Sequence, residues 1–418
     1  PDQINEFKLH WSRGTAGRRP QFANQYETYS VGSGTISQAA QGNKQLRPQR
    51  STENEFGLNM VLFNRVITSL VYSFKSDTDQ IISVPLARSR GGFTSQVQNA
   101  GTLESNSIEY SVELPVLSTG DFGYNIRMNL DRSRSEITEL NRPAYRSGSF
   151  YYREGEVYGA HYGVKWAKTC DDLPTGSDCS QFQVNDDGLM VWTGSANYTD
   201  GIAQGMWGTT SEGQTGQDIF RWGLPIRSFG ENYTDGEREC VERRQGDPGC
   251  TDFLYLGNTA PDLNYNMTHT FRWRGLAVYV LLDGELGVDV YNGTRQWAYR
   301  DNRSGDMDQG GKSDGMKKPV AYYQILYNTN ADNDWFIERS DYLKVREMSV
   351  SYALNPDWLD AIFAGRVAGA EVNLIGRNLF TFTGYTGFDP EVGGLVSRND
   401  SYQQPNPRRL SVSLQLTF

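Results

Sequence analysis

The four cysteines are the residues of this sequence best able to form covalent cross-links. They fall into two local pairs, Cys170 with Cys179 and Cys240 with Cys250, with eight and nine residues between the partners. Three connectivities are possible, and loop closure favours the two local disulfides. Zinc binding is a weaker interpretation, because the spacing is wide and the three histidines lie elsewhere. Disulfides would place these segments in an oxidising compartment.

Two acidic segments could bind a cation or act as a carboxylate pair. The segment "DNRSGDMDQGG" supplies Asp301, Asp306 and Asp308, which could bind calcium. It lacks the Gly and Glu placement of an EF-hand loop, so a solvated loop is the favoured interpretation. The segment "GFDPEV" supplies Asp389 and Glu391, where a turn is favoured over a functional pair. The sequence implies no cofactor beyond the possible calcium ion.

Large aromatic residues in long loops are the candidates for binding a substrate. Flat aromatic faces stack on sugar rings and also anchor peptides. The alternative for each residue is packing within the loops or a position at the membrane interface. The candidates are Trp192, Trp207, Trp222, Tyr233, Trp297, Tyr299 and Trp335.

Composition and motifs exclude several classes of function. The sequence contains no phosphate-binding loop, Cys-x-x-Cys pair or histidine-rich cluster, and we predict that the protein is not an enzyme. A net charge of −10 without a basic run argues against nucleic-acid binding. The longest apolar run, "LAVYVLL", is too short for a membrane-spanning helix. The chain begins "PDQINEFKLHW", without a targeting signal, so we expect a processed or truncated start.

Alternation of apolar and polar residues is the main secondary-structure signal. In the last segment, "RRLSVSLQLTF", the residues Leu410, Val412, Leu414, Leu416 and Phe418 share one face of a strand, and Ser, Gln and Thr occupy the other. About twelve such strands are predicted, at 4–12, 54–62, 66–74, 105–114, 122–132, 151–166, 182–193, 268–282, 286–292, 341–354, 369–382 and 408–418.

The connections between these strands are alternately short and long. We predict a hairpin across "DGE" that pairs Leu282 with Leu286. We also predict a short helix at "NPDWLDAIF", with Asn355 as N-cap and Pro356 at its first position. With twelve strands, the even-numbered ones run toward the side of the short connections, where Phe418 also lies.

This pattern predicts an all-β fold: the C-terminal portion of a large antiparallel transmembrane β-barrel. Such barrels have short periplasmic turns and long extracellular loops. The predicted strands are also long enough, since a tilted strand crosses the hydrocarbon core in about 9–11 residues. The alternative is a large soluble β-sandwich or propeller, although no repeat of blade length is visible.

The residues also resemble a known family. Stretches that run in the family's order identify a similarity to the C-terminal part of SusC/RagA-type TonB-dependent receptors, which are outer-membrane importers. Segments 115–150 and 167–254 do not align with the family. The matching stretches are "FKLHWSRGTAG", "LRPQRSTENEFGLNMVLFNRV", "VYSFKSDTDQII", "GGFTSQVQNAGTLESNSIEYSVEL", "REGEVYGAHYGVKW", "YLGNTAPDLNYNMTHTFRWRGL", "ERSDYLKVREMSVSYAL", "VNLIGRNLFTFTGYTGFDPEV" and the terminal strand.

The resemblance implies a barrel of about 22 strands around an N-terminal plug. In such receptors TonB pulls on the plug to release a substrate inward, and a SusD-like surface lipoprotein serves as a lid. The terminal residues from Leu410 to Phe418 resemble the signal read by the barrel-assembly machinery. We expect residues 1–418 to be barrel only, with the plug domain and the N-terminal strands outside this chain.

The leading interpretation is therefore TonB-dependent import of a glycan, an oligosaccharide or a peptide-type nutrient across the bacterial outer membrane. Outer-membrane lipid is the predicted environment of the apolar face. A passive or structural outer-membrane barrel is one alternative, and a secreted soluble β-protein is a weaker one.

Overall fold

A computed structural model places more than half of the residues that it describes in strands. It covers residues 3–89, 91–147, 150–173, 178–193, 223–226, 228, 253–313, 316–327, 332–364, 366–394 and 398–418. The strands, in chain order, are β1 Ile4–Arg18, β2 Tyr29–Gly32, β3 Thr35–Gln38, β4 Ala40–Gln41, β5 Gln49–Leu62, β6 Val66–Thr78, β7 Ile81–Pro85, β8 Ser95–Asn99, β9 Thr102–Ser118, β10 Phe122–Glu139, β11 Tyr145–Ser147, β12 Phe150–Tyr152, β13 Ala160–Val164, β14 Phe182–Val184, β15 Met190–Trp192, β16 Phe253–Asn258, β17 Leu263–Trp273, β18 Leu276–Leu286, β19 Asp289–Asn292, β20 Ile337–Arg339, β21 Tyr342–Ala353, β22 Gly369–Thr383, β23 Asn399–Asp400 and β24 Arg409–Thr417.

Helices are short and lie in the connections. None of the described helices combines the length and the apolar character needed to span a membrane. The α-helices are α1 Gly293–Arg300, α2 Val320–Tyr327 and α3 Pro356–Phe363. The 3-10 helices are Phe22–Gln25, Cys170–Asp172, Cys179–Gln181 and Gly305–Met307.

The dominant element is one large antiparallel sheet, which we call the wall sheet. Among the described residues it has ten strands in the order β1-β5-β6-β9-β10-β17-β18-β21-β22-β24. Its neighbours follow one another along the chain, so it is a meander with β1 and β24 as edge strands. This arrangement confirms the predicted antiparallel barrel fold class.

The connections of the wall sheet are short at one end and long at the other, as predicted. The short ones are 63–65, 119–121 and 274–275. In the first of these, Phe63 and Asn64 have φ of +51° and +53°, the twisted backbone that a tight hairpin needs. Every second strand runs toward this end, and Phe418 lies there.

The fourth connection at that end, 354–368, is longer because it contains α3. Asn355 caps this helix by accepting a hydrogen bond from the Asp357 amide at 2.9 Å, and Pro356 occupies the first turn. The predicted helix is therefore confirmed.

The predicted "DGE" hairpin is wrong. The chain turns earlier, at Arg274 and Gly275, so that β17 pairs with β18 and residues 283–285 continue β18. Arg274 adopts φ +52°, and a Cβ on Gly275 would lie 2.9 Å from the Ala353 carbonyl oxygen. The two strands read as one because only Arg274 and Gly275 separate the alternating residues of β17 from the apolar run that opens β18.

The predicted count of about twelve strands also changes. Segments 151–166, 182–193 and 286–292 contribute short strands to smaller sheets rather than to the wall sheet, while 268–282 divides into two wall strands. The three misassigned segments carry alternation or aromatic residues because they pack on other loops. Strand propensity alone does not separate the two environments.

Strand register gives the wall sheet one apolar face and one polar face. Val350, Leu374 and Val412 lie in one row across three strands, and Val412 is 74% exposed. In the next row Ser351 donates a hydrogen bond to Asn373 on the opposite face. Exposed apolar rows opposite hydrogen-bonded polar rows are the arrangement of a membrane barrel, with lipid outside and water inside.

Candidate functional site

The two longest connections at the other end of the wall sheet fold against each other. We call the described parts of 140–262 and 287–341 the loop assembly. Trp166 of the first connection donates a hydrogen bond through its indole N–H to Asn333 of the second at 3.2 Å. The core shared by both connections contains Trp166, Leu189, Val191, Leu224, Tyr291, Tyr299, Tyr322, Tyr323, Leu326 and Phe336.

Most of the described aromatic candidates pack inside the loop assembly. Trp192 and Tyr299 are buried, and Trp335 is partly buried with its indole N–H donating to the Tyr299 hydroxyl at 3.1 Å. Trp297 is 44% exposed, with the Arg300 guanidinium 4.1 Å from its ring centroid. Substrate contact therefore remains a prediction, and Trp297 has the most accessible ring. The candidates Trp207, Trp222 and Tyr233 lie outside the described residues.

The acidic segment lies at the surface of the loop assembly, where Asp301 and Asp306 form ion pairs with neighbouring arginines. Asp306 accepts hydrogen bonds from the Tyr299 hydroxyl at 2.6 Å and from Arg295 at 2.8 Å. Burial opposes its ionisation, but these bonds and the Arg295 charge keep the pKa of Asp306 below its ordinary value. Asp301 pairs with Arg300. In the described part of the chain, no three His, Cys, Asp or Glu side chains are grouped as metal ligands.

One predicted disulfide is confirmed. Cys170 and Cys179 are bonded, with a Cα–Cα distance of 5.9 Å. The bond closes a short loop whose hydrophobic neighbours include Trp192. The second predicted pair, Cys240 and Cys250, lies outside the described residues.

A cavity of about 190 Å³ lies where β9 begins and β10 ends. Leu103 and Ile137 pair across the strands there and share the parity of the polar face, so the cavity is on the lumenal side of the wall sheet. Gly101, at φ +153°, permits close passage of the chain, because a Cβ would lie 2.5 Å from the Glu139 carbonyl oxygen. The lining residues are Gln80, Ile82, Ser83, Ala100, Gly101, Thr102, Leu103, Ile137, Glu139, Leu140, Tyr145, Tyr152 and Tyr158.

Three tyrosines give this tyrosine-lined cavity its chemistry. Tyr145 and Tyr152 are opposite each other in the β11–β12 hairpin and stack with ring centroids 5.0 Å apart, while Tyr158 meets Tyr152 edge-on at 5.9 Å. Burial raises the pKa of Tyr152 and of Tyr145, so both hydroxyls stay neutral. The cavity thus offers aromatic faces, neutral hydroxyls and the Glu139 carboxylate. It suits one ring of a larger molecule, since pockets that hold a whole drug-sized ligand are about 300–1,000 Å³.

Sequence reasoning missed these tyrosines. They lie in "PAYRSGSFYYREGEVY", part of which falls in a segment that does not align with the family. The dense aromatic content of this stretch was the available signal. Aromatic density alone does not say that three rings converge on one cavity.

A buried charge cluster ties the last long connection to the wall. Lys344 of β21 is 2% exposed and donates hydrogen bonds to Asp389 at 2.6 Å and to Glu391 at 2.9 Å. Arg346 donates to Glu391 at 2.8 Å from a bulge in the same strand. The two carboxylates of "GFDPEV" therefore meet, and they anchor a loop.

The electrostatics of this anchor favour the ionised carboxylates. Burial opposes the charge on Asp389, but hydrogen bonds from Lys344 and from the Asn406 and Glu391 amides keep the pKa of Asp389 below its ordinary value. Arg346 and Lys344 likewise lower the pKa of Glu391 against the effect of burial.

Known protein sequences similar to this chain are TonB-dependent receptors, although no protein-family model matches. Receptor P39 of Formosa agariphila is 22% identical over 400 residues, covering 90% of this chain and 36% of the relative. SusC of Bacteroides thetaiotaomicron is 21% identical over 399 residues, covering 94% and 34%. The chain thus spans about a third of the length of the curated relatives it matches.

Solved structures agree on the fold. The RagAB peptide importer in its closed-closed state superposes with a TM-score of 0.68 at 19% identity, covering all of this chain and 41% of the matched one. The open-open state of the same importer gives a TM-score of 0.64. The resemblance predicted from the sequence is confirmed: the chain matches a SusC/RagA-type TonB-dependent receptor, whose barrel lies in the bacterial outer membrane.

Proposed function

We propose that this chain forms the C-terminal part of the barrel wall of an importer that carries an oligosaccharide or a peptide across the outer membrane. The similarity to TonB-dependent receptors supports nutrient import as the general activity. The observation that carries the finer proposal is the tyrosine-lined cavity, on the polar face at the long-loop end of the wall. Cargo that enters from outside meets this end first.

Cargo chemistry follows from the groups in the cavity. Tyrosine faces stack on pyranose rings or on aromatic and aliphatic side chains, and neutral hydroxyls form hydrogen bonds with sugar hydroxyls or peptide groups. The cavity takes one such unit of a chain, and the remainder lies along the polar rows of the lumen. A peptide as cargo is supported by the fold alone, because the RagAB structure that this chain resembles is a peptide importer.

The remaining parts of such a machine lie outside these 418 residues in this proposal. An upstream plug domain, the TonB contact on it and further strands complete the receptor. A SusD-like lipoprotein covers the loop assembly as a lid, where the exposed Trp297 ring is available for contact. The barrel-assembly machinery reads the terminal strand.

Uptake by cells that carry the complete receptor tests this proposal. Tyr152→Ala removes one stacking face, worth about 0.5–1.5 kcal/mol, so half-saturating cargo concentration should rise about two- to tenfold. Tyr152→Phe, which keeps the ring, should be close to wild type if stacking dominates. Tyr26→Ala is the matched control, because Tyr26 is exposed and does not line the cavity.

Two panels of cargo, oligosaccharides and peptides, separate the substrate classes. Uptake that persists when TonB is deleted would identify a passive barrel instead. Equal uptake by Tyr152→Ala and wild type, for every cargo transported, would remove the cavity from the proposed path.

A further inference from the structure

The connection 354–368 differs from its neighbours at the same end of the wall sheet. The other described connections there are tight turns at 63–65, 119–121 and 274–275. This connection instead builds the capped helix α3, which the strands do not require in order to pair. The cap and the proline at the first turn fix where the helix begins, so its side chains have defined directions.

The side chains of α3 separate into three groups around its axis. Leu359 is 3% exposed and packs against the protein, since α3 contacts β22. Trp358 and Ile362, four residues apart on one strip, are 62% and 70% exposed. Asp357 and Asp360, three residues apart, are exposed on the other side. A short helix with an unpartnered apolar strip and an acidic strip is amphipathic toward its surroundings.

The apolar strip lies beside the apolar face of the wall. Ala370 has the strand parity of the outward-facing Val372 and Leu374, yet Ala370 is buried. Leu359 and Val367 of the connection are buried too, and α3 contacts β22, so the connection covers this end of the apolar face. The connection also reaches β24, because the Ala368 amide donates to the Thr417 carbonyl at 2.7 Å.

The apolar surface therefore continues from strand to helix. Tyr352 near the end of β21 and Phe418 just after β24 lie on either side of β22, and they are 45% and 84% exposed. Aromatic residues at strand ends are typical of the interface between acyl chains and headgroups. Arg366 is the single basic residue of the connection and is exposed.

We propose that α3 is an interfacial helix that rests on the periplasmic leaflet of the outer membrane. Trp358 and Ile362 insert among the phospholipid chains near the headgroups, and Asp357 and Asp360 face the periplasm. The proposal rests on the membrane-barrel assignment, with short connections on the periplasmic side. The occupant of the apolar strip is phospholipid, because the strip is continuous with the apolar face of the wall.

Spin labels in the complete receptor, reconstituted in phosphatidylethanolamine and phosphatidylglycerol vesicles, test this proposal. Cysteines replace Ile362, Asp360 and Val412 one at a time, and unsubstituted receptor labelled in parallel serves as the blank. Collision with oxygen, which concentrates in lipid, is compared with collision with a water-soluble nickel chelate. Ile362→Cys should favour oxygen, as Val412→Cys does, whereas Asp360→Cys should favour nickel.

Other outcomes have distinct meanings. Nickel access at position 362 equal to that at position 360 overturns the proposal, and so does exclusion of both reagents at 362, which indicates a protein partner or a second copy. If Val412→Cys also favours nickel, the membrane assignment itself fails, which separates the two conclusions.

A second measurement avoids cysteine. Brominated phospholipids quench tryptophan fluorescence on contact, so wild-type receptor should lose more fluorescence than Trp358→Phe. Identical quenching of the two folded proteins would contradict the inserted position of Trp358.

Discussion

The wall sheet and the loop assembly are ordered by different physics. Each residue of a wall strand lies on either the apolar or the polar face, and the strand register places residues of the same kind side by side. Val350, Leu374 and Val412 lie on one face, and Ser351 and Asn373 lie on the other. In the loop assembly, order comes from individual contacts between distant segments, such as Trp166 with Asn333. We therefore expect the wall sheet to tolerate substitutions that keep one face apolar and the other polar. The loops depend instead on contacts between individual side chains.

The substitution with the largest predicted effect removes one of these individual contacts. Lys344→Met leaves the Asp389 carboxylate buried without its cation, which costs about 3–5 kcal/mol for a broken buried pair. We expect the opening free energy of 385–394, measured by amide hydrogen exchange, to fall by about that amount. Arg47→Met is the control, because its pair with Asp79 is exposed and contributes little. Unchanged exchange in 385–394 would show that Lys344 does not hold the loop.

The next effect tests the two faces of the wall. Val412→Arg places a charge on the lipid face and should cost about 2–4 kcal/mol if the residue is near the bilayer centre. Ser413→Arg places the same charge in the lumen and should be mild. Unfolding of the receptor in vesicles by urea measures both. Equal damage from the two changes would contradict the assignment of faces.

The third effect should stay within the loops. Replacing Cys170 and Cys179 by Ser removes a crosslink over a short loop, which the chain-entropy model values at about 2–3 kcal/mol. Hydrogen exchange should rise around residues 166–192 and remain unchanged in the wall strands. A comparable rise in β21 or β22 would mean that wall and loops unfold together.

The smallest effect is a pH dependence of the loop anchor. The pKa values of Asp389 and Glu391 lie below their ordinary values, so their contribution to stability is present above the ordinary carboxyl pKa of about 4. It is lost as pH falls through the lowered values. Proteolysis of 385–394 should be constant from about pH 5 to 8 and should increase only below about pH 4. Release of the loop near neutral pH would contradict this sign.

The sequence predicted the wall sheet well because successive residues of a membrane strand face lipid and water in turn, which gives the sequence a hydrophobic period of two. The terminal strand, the row containing Val350 and the capped helix at Asn355 were all visible in it. The error at Arg274 arose because the alternating strand β17 is followed after only Arg274 and Gly275 by the apolar run of β18, so no polar stretch marked the turn. A glycine in the run was the available indication.

The loops were less predictable because their contacts join segments far apart in the chain. Lys344 and Asp389 are 45 residues apart, and no local pattern relates them. The tyrosines at 145, 152 and 158 converge only after two strands and a hairpin are placed. The local disulfide between Cys170 and Cys179 was the exception, since its partners are near neighbours.

A cysteine scan of β24 from 410 to 417, in the complete receptor in native outer-membrane vesicles, tests the two-faced wall most directly. We predict that cysteines at 411, 413, 415 and 417 react with a water-soluble maleimide, while those at 410, 412, 414 and 416 react only with a lipid-soluble reagent. Reaction of both sets with the water-soluble reagent, or an inverted pattern, would contradict the membrane wall on which the proposed import function depends.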